Sequence, residues 1–134
     1  MRLQALLFAS ALLVLGQACT SKPKEVKPID PKETYGMALN DFAVVVDVRE
    51  ADEIRKSGKA APAKWLPFSK IQHGSPEWSE FKKNFPKTKQ AVFYCAGGGR
   101  AQIAAEDIAK DGVQARNMGG FSDWVKAGLP TLQQ

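Results

Sequence analysis

The residues of this chain best suited to covalent chemistry lie around Cys95. It follows the apolar run 91–94, and the residues after it are Ala96, Gly97, Gly98, Gly99 and Arg100. A cysteine thiolate is a strong nucleophile, and nearby positive charge and backbone N–H groups favour its formation. Successive glycines let the backbone turn several N–H groups toward one anion, since no Cβ opposes positive φ angles. We therefore expect an accessible thiolate at Cys95, held in a ring of amides with Arg100 at its rim.

The segments on either side of this loop must position it. The apolar run before Cys95 predicts a buried strand, and the segment 100–110 predicts a helix that ends at Gly112. The first N–H groups of a helix lack partners within the helix and its dipole is positive there, so this end favours an anion. We expect Ile103, Ala104 and Ile108 on the buried side of the helix. A cysteine at a strand end is also often a small buried apolar residue, and the loop alone leaves that alternative open.

A second strand is predicted at 43–46, where an alanine precedes three valines and Asp47 follows. Further helices are predicted at 34–39, 50–57, 75–85 and 121–127, and a further strand at 113–116. The alternation of strands and helices predicts an α/β domain with a mostly parallel central sheet flanked by helices. Sites in such sheets form at the carboxyl ends of the strands, where Asp47 and Cys95 are both expected.

The first residues have the composition of an export signal. Residues 1–18 combine a basic start with an apolar stretch too short to span a bilayer comfortably. Small residues precede Cys19, and the segment 15–19 resembles a bacterial lipobox, in which the cysteine is lipidated, although Gly16 stands where leucine is usual. The resemblance implies a periplasmic lipoprotein of the bacterial cell envelope, held at a membrane by its N-terminal lipid. An ordinary cleavable signal that ends near Cys19 is the alternative.

Composition limits the remaining possibilities. Residues 19–33 are rich in proline and lysine and predict an extended tether, which leaves 34–134 as one domain. Arg2 is the only charged residue of 1–18, so removing that segment lowers the net charge from +5 to +4. The remaining charge is spread along the chain, which excludes nucleic acid as an expected partner. One histidine and one available cysteine offer too few ligands for a metal, and we expect no cofactor.

The cysteine count favours a working thiol at Cys95. The chain has two cysteines, and if Cys19 is lipidated, Cys95 has no partner for an internal disulfide. Exported domains use cysteines mainly for such bridges, so a solitary one in a glycine loop indicates another purpose.

Three separated blocks resemble the single-domain rhodanese family of sulfurtransferases. The segment 46–53 is similar to the family's D-V-R-x-x-x-E motif, and 95–100 fits its C-x-x-G-x-R active loop. The segment 119–130 resembles its G-G-x-x-x-W-x-x-x-G-L-P ending. The sequence departs from the family at Lys59, where histidine is usual, and at Ala96, where a charged residue is frequent. The resemblance implies a three-layer rhodanese-like fold.

The resemblance also implies a mechanism. Cys95 would take the sulfane sulfur of a donor such as thiosulfate as a persulfide, and cyanide or a thiol would remove it. The amides of the four residues after Cys95 would hold the anionic sulfur, and Arg100 would bind the donor's sulfonate. An acceptor protein is a further candidate partner. The physiological donor and acceptor, the oligomeric state and the choice of membrane stay open.

The other motif residues are expected to be structural. Arg49 and Glu53 are spaced i, i+4 and are expected to pair. Asp47 is expected either to cap the helix that begins near residue 50 or to approach the active loop. Trp124 is expected in the core with Leu129. His73 is expected on a surface loop.

Two other functions stay open. One is an enzyme of the protein-phosphatase or arsenate-reductase type, which also surrounds an anion with a Cys–Arg loop. Those loops have five residues between the cysteine and the arginine, whereas this chain has four. The other is a non-catalytic binding module with a rhodanese fold.

Overall fold

The computed structural model of the chain describes Lys22 and residues 24–133. The predicted signal segment 1–18 and Cys19 lie outside these residues. The strands are β1 (Lys27–Pro28), β2 (Ala43–Asp47), β3 (Lys59–Ala60), β4 (Lys64–Trp65), β5 (Gln90–Cys95), β6 (Ala115–Gly120) and β7 (Thr131–Leu132). The helices are α1 (Pro31–Leu39), α2 (Ala51–Ser57), α3 (Phe68–Gln72), α4 (Pro76–Lys83), α5 (Gly99–Ala109) and α6 (Phe121–Lys126).

The central sheet has five strands in the order β1-β6-β5-β2-β4, and every pair is parallel. A separate antiparallel pair joins β3 to β7. The valines of β2 are β-branched and pack well on a pleated surface, which explains why this segment forms an inner strand. The predicted α/β class with a parallel sheet is confirmed.

Side-chain alternation along β5 divides the core into two layers. Phe93 and Cys95 face the layer that contains α3, α4 and α5, whereas Val92 and Tyr94 face the layer that contains α1 and α6. Successive residues of a strand point to opposite faces, so this division follows from the strand itself. The domain is therefore three layers, and Cys95 points toward α5.

The domain begins earlier than predicted. Residues 27–33 were assigned to the tether, but β1 pairs with β6 and the N–H of Ile29 donates to the carbonyl of Asn117 (3.0 Å). Helix α1 begins at Pro31, because Asp30 caps it by accepting from the N–H of Lys32 (2.8 Å) and Pro31 suits the first helical turn. The composition of residues 27–28 does not reveal a strand this short, because pairing with β6 stabilises it.

Other elements also differ in detail from the prediction. Helix α3 was not predicted, and the last strand of the parallel sheet starts at Ala115 and includes the two glycines assigned to a turn. Ile103 was expected to be buried but is 54% exposed, because Ala101, Ala104 and Ile108 form the inner face of α5. Ala104 and Ile108 are buried as predicted. No helix among the described residues is long and apolar enough to cross a membrane.

Candidate active site

Cys95 is the last residue of β5, and α5 begins four residues later at Gly99. Its sulfur accepts a hydrogen bond from the backbone N–H of Gly98 at 3.0 Å. Gly98 has a φ of +96°, and a Cβ added there would lie 3.3 Å from the Cα of Gly119. Only glycine adopts this conformation easily, so the third residue after the cysteine must be glycine for the N–H to face the sulfur. In the described part of the chain, this is the one backbone N–H that donates to the sulfur, so the predicted ring of several amides is wrong.

The thiol is less accessible than the sequence suggested. Cys95 is only 2% exposed and belongs to the apolar layer beneath α5, so the prediction of an exposed thiol is wrong. The loop residues that follow it are small; Ala96, Gly97 and Gly99 are exposed, while Gly98 is buried. The buried sulfur is therefore followed by a loop whose exposed residues carry one methyl group and two bare glycines.

Arg100 is held by a carboxylate of helix α2. Its Nη1 donates to Oε2 of Glu53 and its Nη2 to Oε1, each at 2.7 Å, in a bidentate ion pair. This hydrogen bonding lowers the pKa of Glu53 to about 2. The same hydrogen bonding raises the pKa of Arg100, and the interaction with Cys95 acts in the same direction. The ion pair fixes α2 against the first turn of α5 beside the sulfur.

The predicted pair between Arg49 and Glu53 is wrong. Arg49 precedes α2, which begins at Ala51, so helical i, i+4 spacing does not apply to it. Its guanidinium turns back to Asp47, with Nη2 at 2.6 Å from Oδ2 and Nε at 3.0 Å from Oδ1. Asp47 is likewise not a helix cap, since the N-cap of α2 is Glu50.

Asp47 is the centre of a buried polar network at the carboxyl end of β2. Asp47 and Arg49 are 0% and 3% exposed, and the hydroxyl of Tyr94 donates to Oδ2 of Asp47 at 2.6 Å. Burial, and then the negative charge of Asp47, raise the pKa of Tyr94. The same hydroxyl accepts from the N–H of Ala60 at 3.0 Å. Buried charges need such partners, and the network fixes the strand end directly before Cys95.

Asn117 is a supporting residue that sequence reasoning missed. From β6, its Nδ2 donates to the carbonyl of Gly98 (3.1 Å) and to Oε1 of Gln102 (2.9 Å), and its Oδ1 accepts from the N–H of Gly119 (2.9 Å). It thereby holds the loop residue whose N–H faces the sulfur. An asparagine within a strand is a weak signal of such a role, since strands seldom favour this residue.

The remaining motif residues occupy structural positions. Trp124 is fully buried and packs with Leu129, as predicted, and its Nε1 donates to the carbonyl of Pro130 (2.9 Å). His73 is an exposed residue at the end of α3 and lies on the surface as predicted. Among the described residues, no group of three or more histidine, cysteine, aspartate or glutamate side chains is placed to hold a metal ion.

The geometry brings one thiol, one inward-facing amide and one guanidinium together at the carboxyl end of a parallel strand. A family model of the rhodanese-like domain matches residues 30–127. The chain belongs to the rhodanese-like family. The three sequence blocks that resemble this family therefore correspond to the site and to the elements that support it.

Several solved structures share this fold. A rhodanese-related protein from Thermoplasma volcanium is 25% identical, with a TM-score of 0.64 over 81% of this chain and 99% of that one. The homodimeric polysulfide-sulfur transferase of Wolinella succinogenes is 25% identical, with a TM-score of 0.66 over 81% and 80%. A Rhodopseudomonas palustris protein described as a "possible tyrosine phosphatase" is 28% identical, with a TM-score of 0.64 over 80% and 85%. A search among curated proteins found no match.

Proposed function

We propose that the chain is a sulfurtransferase that carries a sulfane sulfur as a persulfide on Cys95. The observation that supports this most directly is the position of the Cys95 sulfur, which accepts the Gly98 N–H at 3.0 Å beside Arg100. Membership of the rhodanese-like family and the likeness to a polysulfide-sulfur transferase agree with the proposal. The chemistry needs a nucleophilic thiol and donors for an anionic sulfur, and both are present.

The proposed reaction has two steps. The Cys95 thiolate attacks the outer sulfur of thiosulfate, a new S–S bond forms, and the old S–S bond breaks so that its electron pair leaves with sulfite. An acceptor then attacks the outer sulfur of the persulfide and restores the thiolate; cyanide leaves as thiocyanate, and a thiol leaves as a persulfide. The two steps replace one difficult transfer, as in other covalent catalysis.

The surroundings of Cys95 suit both steps. A charge below the surface requires compensation, and the Gly98 N–H, which donates to the sulfur at 3.0 Å, supplies part of it. A second sulfur extends about 2.05 Å from the first. Ala96, Gly97 and Gly99 of the loop are exposed, and we expect an acceptor from solvent to meet the outer sulfur of a persulfide beside them.

Intact-mass measurement tests the proposal. After treatment with thiosulfate, the protein is expected to gain the mass of one sulfur atom, and cyanide is expected to remove it with release of thiocyanate. Cys95→Ser should gain no mass. A wild-type mass that stays unchanged with both thiosulfate and an organic persulfide would contradict the proposal.

A phosphatase-like activity is the alternative that the neighbour from Rhodopseudomonas palustris raises. Four residues separate Cys95 from Arg100, and a shorter loop encloses a smaller anion than a loop with five. We therefore expect no hydrolysis of p-nitrophenyl phosphate above the Cys95→Ser background. Rapid hydrolysis without any sulfur uptake would favour the phosphatase.

We also propose that Cys19 is lipidated and holds the domain at a membrane of the bacterial cell envelope, in the periplasm. The support is the apolar N-terminal stretch followed by small residues and Cys19. Fractionation of cells that produce the full chain tests this. Wild-type protein is expected in the membrane fraction and Cys19→Ser in the soluble fraction; equal membrane retention would contradict lipidation.

A further inference from the structure

The positive charge at the loop is already neutralised. Both terminal nitrogens of Arg100 donate to the two carboxylate oxygens of Glu53, and the ion pair is about one-third exposed. The four residues between Cys95 and Arg100 carry no charge. Among the described residues, no other cation hydrogen-bonds to the loop. The entrance to the sulfur therefore presents a neutral ion pair and not an excess positive charge.

The loop between Cys95 and Arg100 also has two positions, Gly97 and Gly99, where the fold does not require glycine. A Cβ added to Gly97 or Gly99 would meet no atom within 4 Å, and neither residue has a positive φ. Other side chains would fit at both positions without strain, in contrast to Gly98. Both residues are exposed and belong to the loop between Cys95 and Arg100. The two bare positions leave room for the organic part of a donor, room that a small inorganic anion does not need.

We propose that Glu53 determines donor specificity: by neutralising Arg100, it directs the loop toward organic persulfides and away from the thiosulfate dianion. The inference deepens the proposed sulfurtransferase function and rests on it. A dianion such as thiosulfate is attracted by net positive charge beside the sulfur, whereas a protonated persulfide is uncharged and binds without such attraction. Glu53 acts through Arg100 and is a specificity-determining residue, with no direct role in sulfur transfer.

The organic reaction balances without a further reagent. The Cys95 thiolate attacks the outer sulfur of a protonated persulfide, the S–S bond of the donor breaks, and its electron pair leaves on the thiolate of the donor. The proton of the donor stays on the new persulfide or passes to solvent. Sulfite, the leaving group from thiosulfate, carries two negative charges, and the Glu53 carboxylate disfavours its development beside Arg100.

Glu53→Gln is the informative variant. Glutamine keeps one oxygen to accept from Arg100 and from the N–H of Glu50, which donates to Oε2 at 2.9 Å, but it removes the negative charge. Asp52→Asn is the matched control, since it removes one negative charge from the neighbouring position of α2, where the carboxylate pairs with Arg55. The readout is the ratio of kcat/KM for thiosulfate to kcat/KM for an alkyl persulfide made from an uncharged thiol. A ratio cancels any change in the amount of thiolate, because both donors meet the same nucleophile.

Wild-type protein is expected to favour the alkyl persulfide by at least about tenfold, and Glu53→Gln to raise the ratio toward thiosulfate by about tenfold. Asp52→Asn should leave the ratio within about twofold of wild type. Partial loss of folded protein in Glu53→Gln lowers kcat/KM for both donors by the same factor, so a changed ratio still reports donor specificity. A wild-type preference for thiosulfate, or an unchanged ratio in Glu53→Gln, would overturn the inference while sulfur uptake by Cys95 still supports the sulfurtransferase. No uptake from either donor would overturn both.

Discussion

Replacing Tyr94 by phenylalanine removes one oxygen atom from the centre of the buried network. The ring keeps its place, stacked on Phe121 with centroids 6.1 Å apart. The hydroxyl that is lost donates to Asp47 at 2.6 Å and accepts from the N–H of Ala60 at 3.0 Å. The variant therefore isolates two hydrogen bonds in a region where Asp47 and Ala60 are both 0% exposed.

The expected loss follows from these two bonds. A hydrogen bond to a charged group contributes about 1.5–3 kcal/mol, and a buried N–H left without a partner costs about 1–3 kcal/mol. The two effects share one hydroxyl and partly overlap, so we expect the free energy of unfolding to fall by about 3 kcal/mol. In a domain of this size, each kcal/mol lowers Tm by about 4–8 °C, so Tm should fall by about 12–24 °C.

Urea unfolding followed by tryptophan fluorescence measures the change, since Trp78 and Trp124 are both buried. Tyr35→Phe is the matched control. It removes a tyrosine hydroxyl that makes no hydrogen bond within the described residues, while its ring still packs edge-on against Trp124 at 5.7 Å. The control should change the free energy of unfolding by less than about 0.5 kcal/mol. A loss below about 1 kcal/mol in Tyr94→Phe, or one no larger than that of Tyr35→Phe, would refute the stabilising role of the network.

Three further predictions concern the loop. Gly98→Ala should lower the free energy of unfolding by about 2 kcal/mol, because the φ of Gly98 is +96°. Gly97→Ala, the control, should change the free energy of unfolding by less than about 0.5 kcal/mol. Urea unfolding compares the two variants, and equal losses would contradict the argument. The pKa of Glu53 in the folded protein is about 2, below its ordinary value of 4.5. Its ion pair therefore stabilises the fold above about pH 4.5, and this contribution is lost as the pH falls toward 2. Because the pair is partly exposed, we expect the free energy of unfolding to fall by about 1 kcal/mol over this pH range. A plot of the free energy of unfolding against pH should lack this fall in Glu53→Gln. An identical plot for the variant and the wild type would exclude the ion pair as the cause. Asn117→Ala should increase the rate of Cys95 alkylation by iodoacetamide by about tenfold, because the carbonyl of Gly98 loses its 3.1 Å hydrogen bond and the loop opens more often. Mass spectrometry follows the rate of alkylation. An unchanged rate would mean that Asn117 does not restrain the loop.

Local patterns predicted the elements around the site because their signals are contained in short segments. The β-branched run of β2, the Ser75 cap with its following proline, and Gly58 with a φ of +73° after α2 each act within a few residues. The order of these elements along the chain then predicts a parallel sheet with Cys95 at a strand end. Helix α5 begins one residue before its predicted start, since the loop geometry decides where the first helical turn closes.

The partners of charged residues were not predictable in the same way. Glu53 bonds Arg100, which is 47 residues away along the chain, and Asp47 bonds Tyr94 over the same separation. Each pair depends on β2 and β5 lying side by side, which no spacing within one helix reveals. The predicted pair of Arg49 with Glu53 was wrong because it assumed that both residues belong to one helix. The burial of Cys95 likewise depends on α5 packing over the end of β5.

The short strand β1 has a practical consequence for anyone who produces this domain without its N-terminal region. Its last residue lies beside Asn117, and the following N–H of Ile29 donates to the carbonyl of Asn117, whose side chain holds Gly98. An expression boundary at residue 34 would cut away this strand and expose the edge of β6 beneath the loop. Recombinant protein truncated there would lose this support of the loop, whereas a boundary before Lys27 keeps it intact.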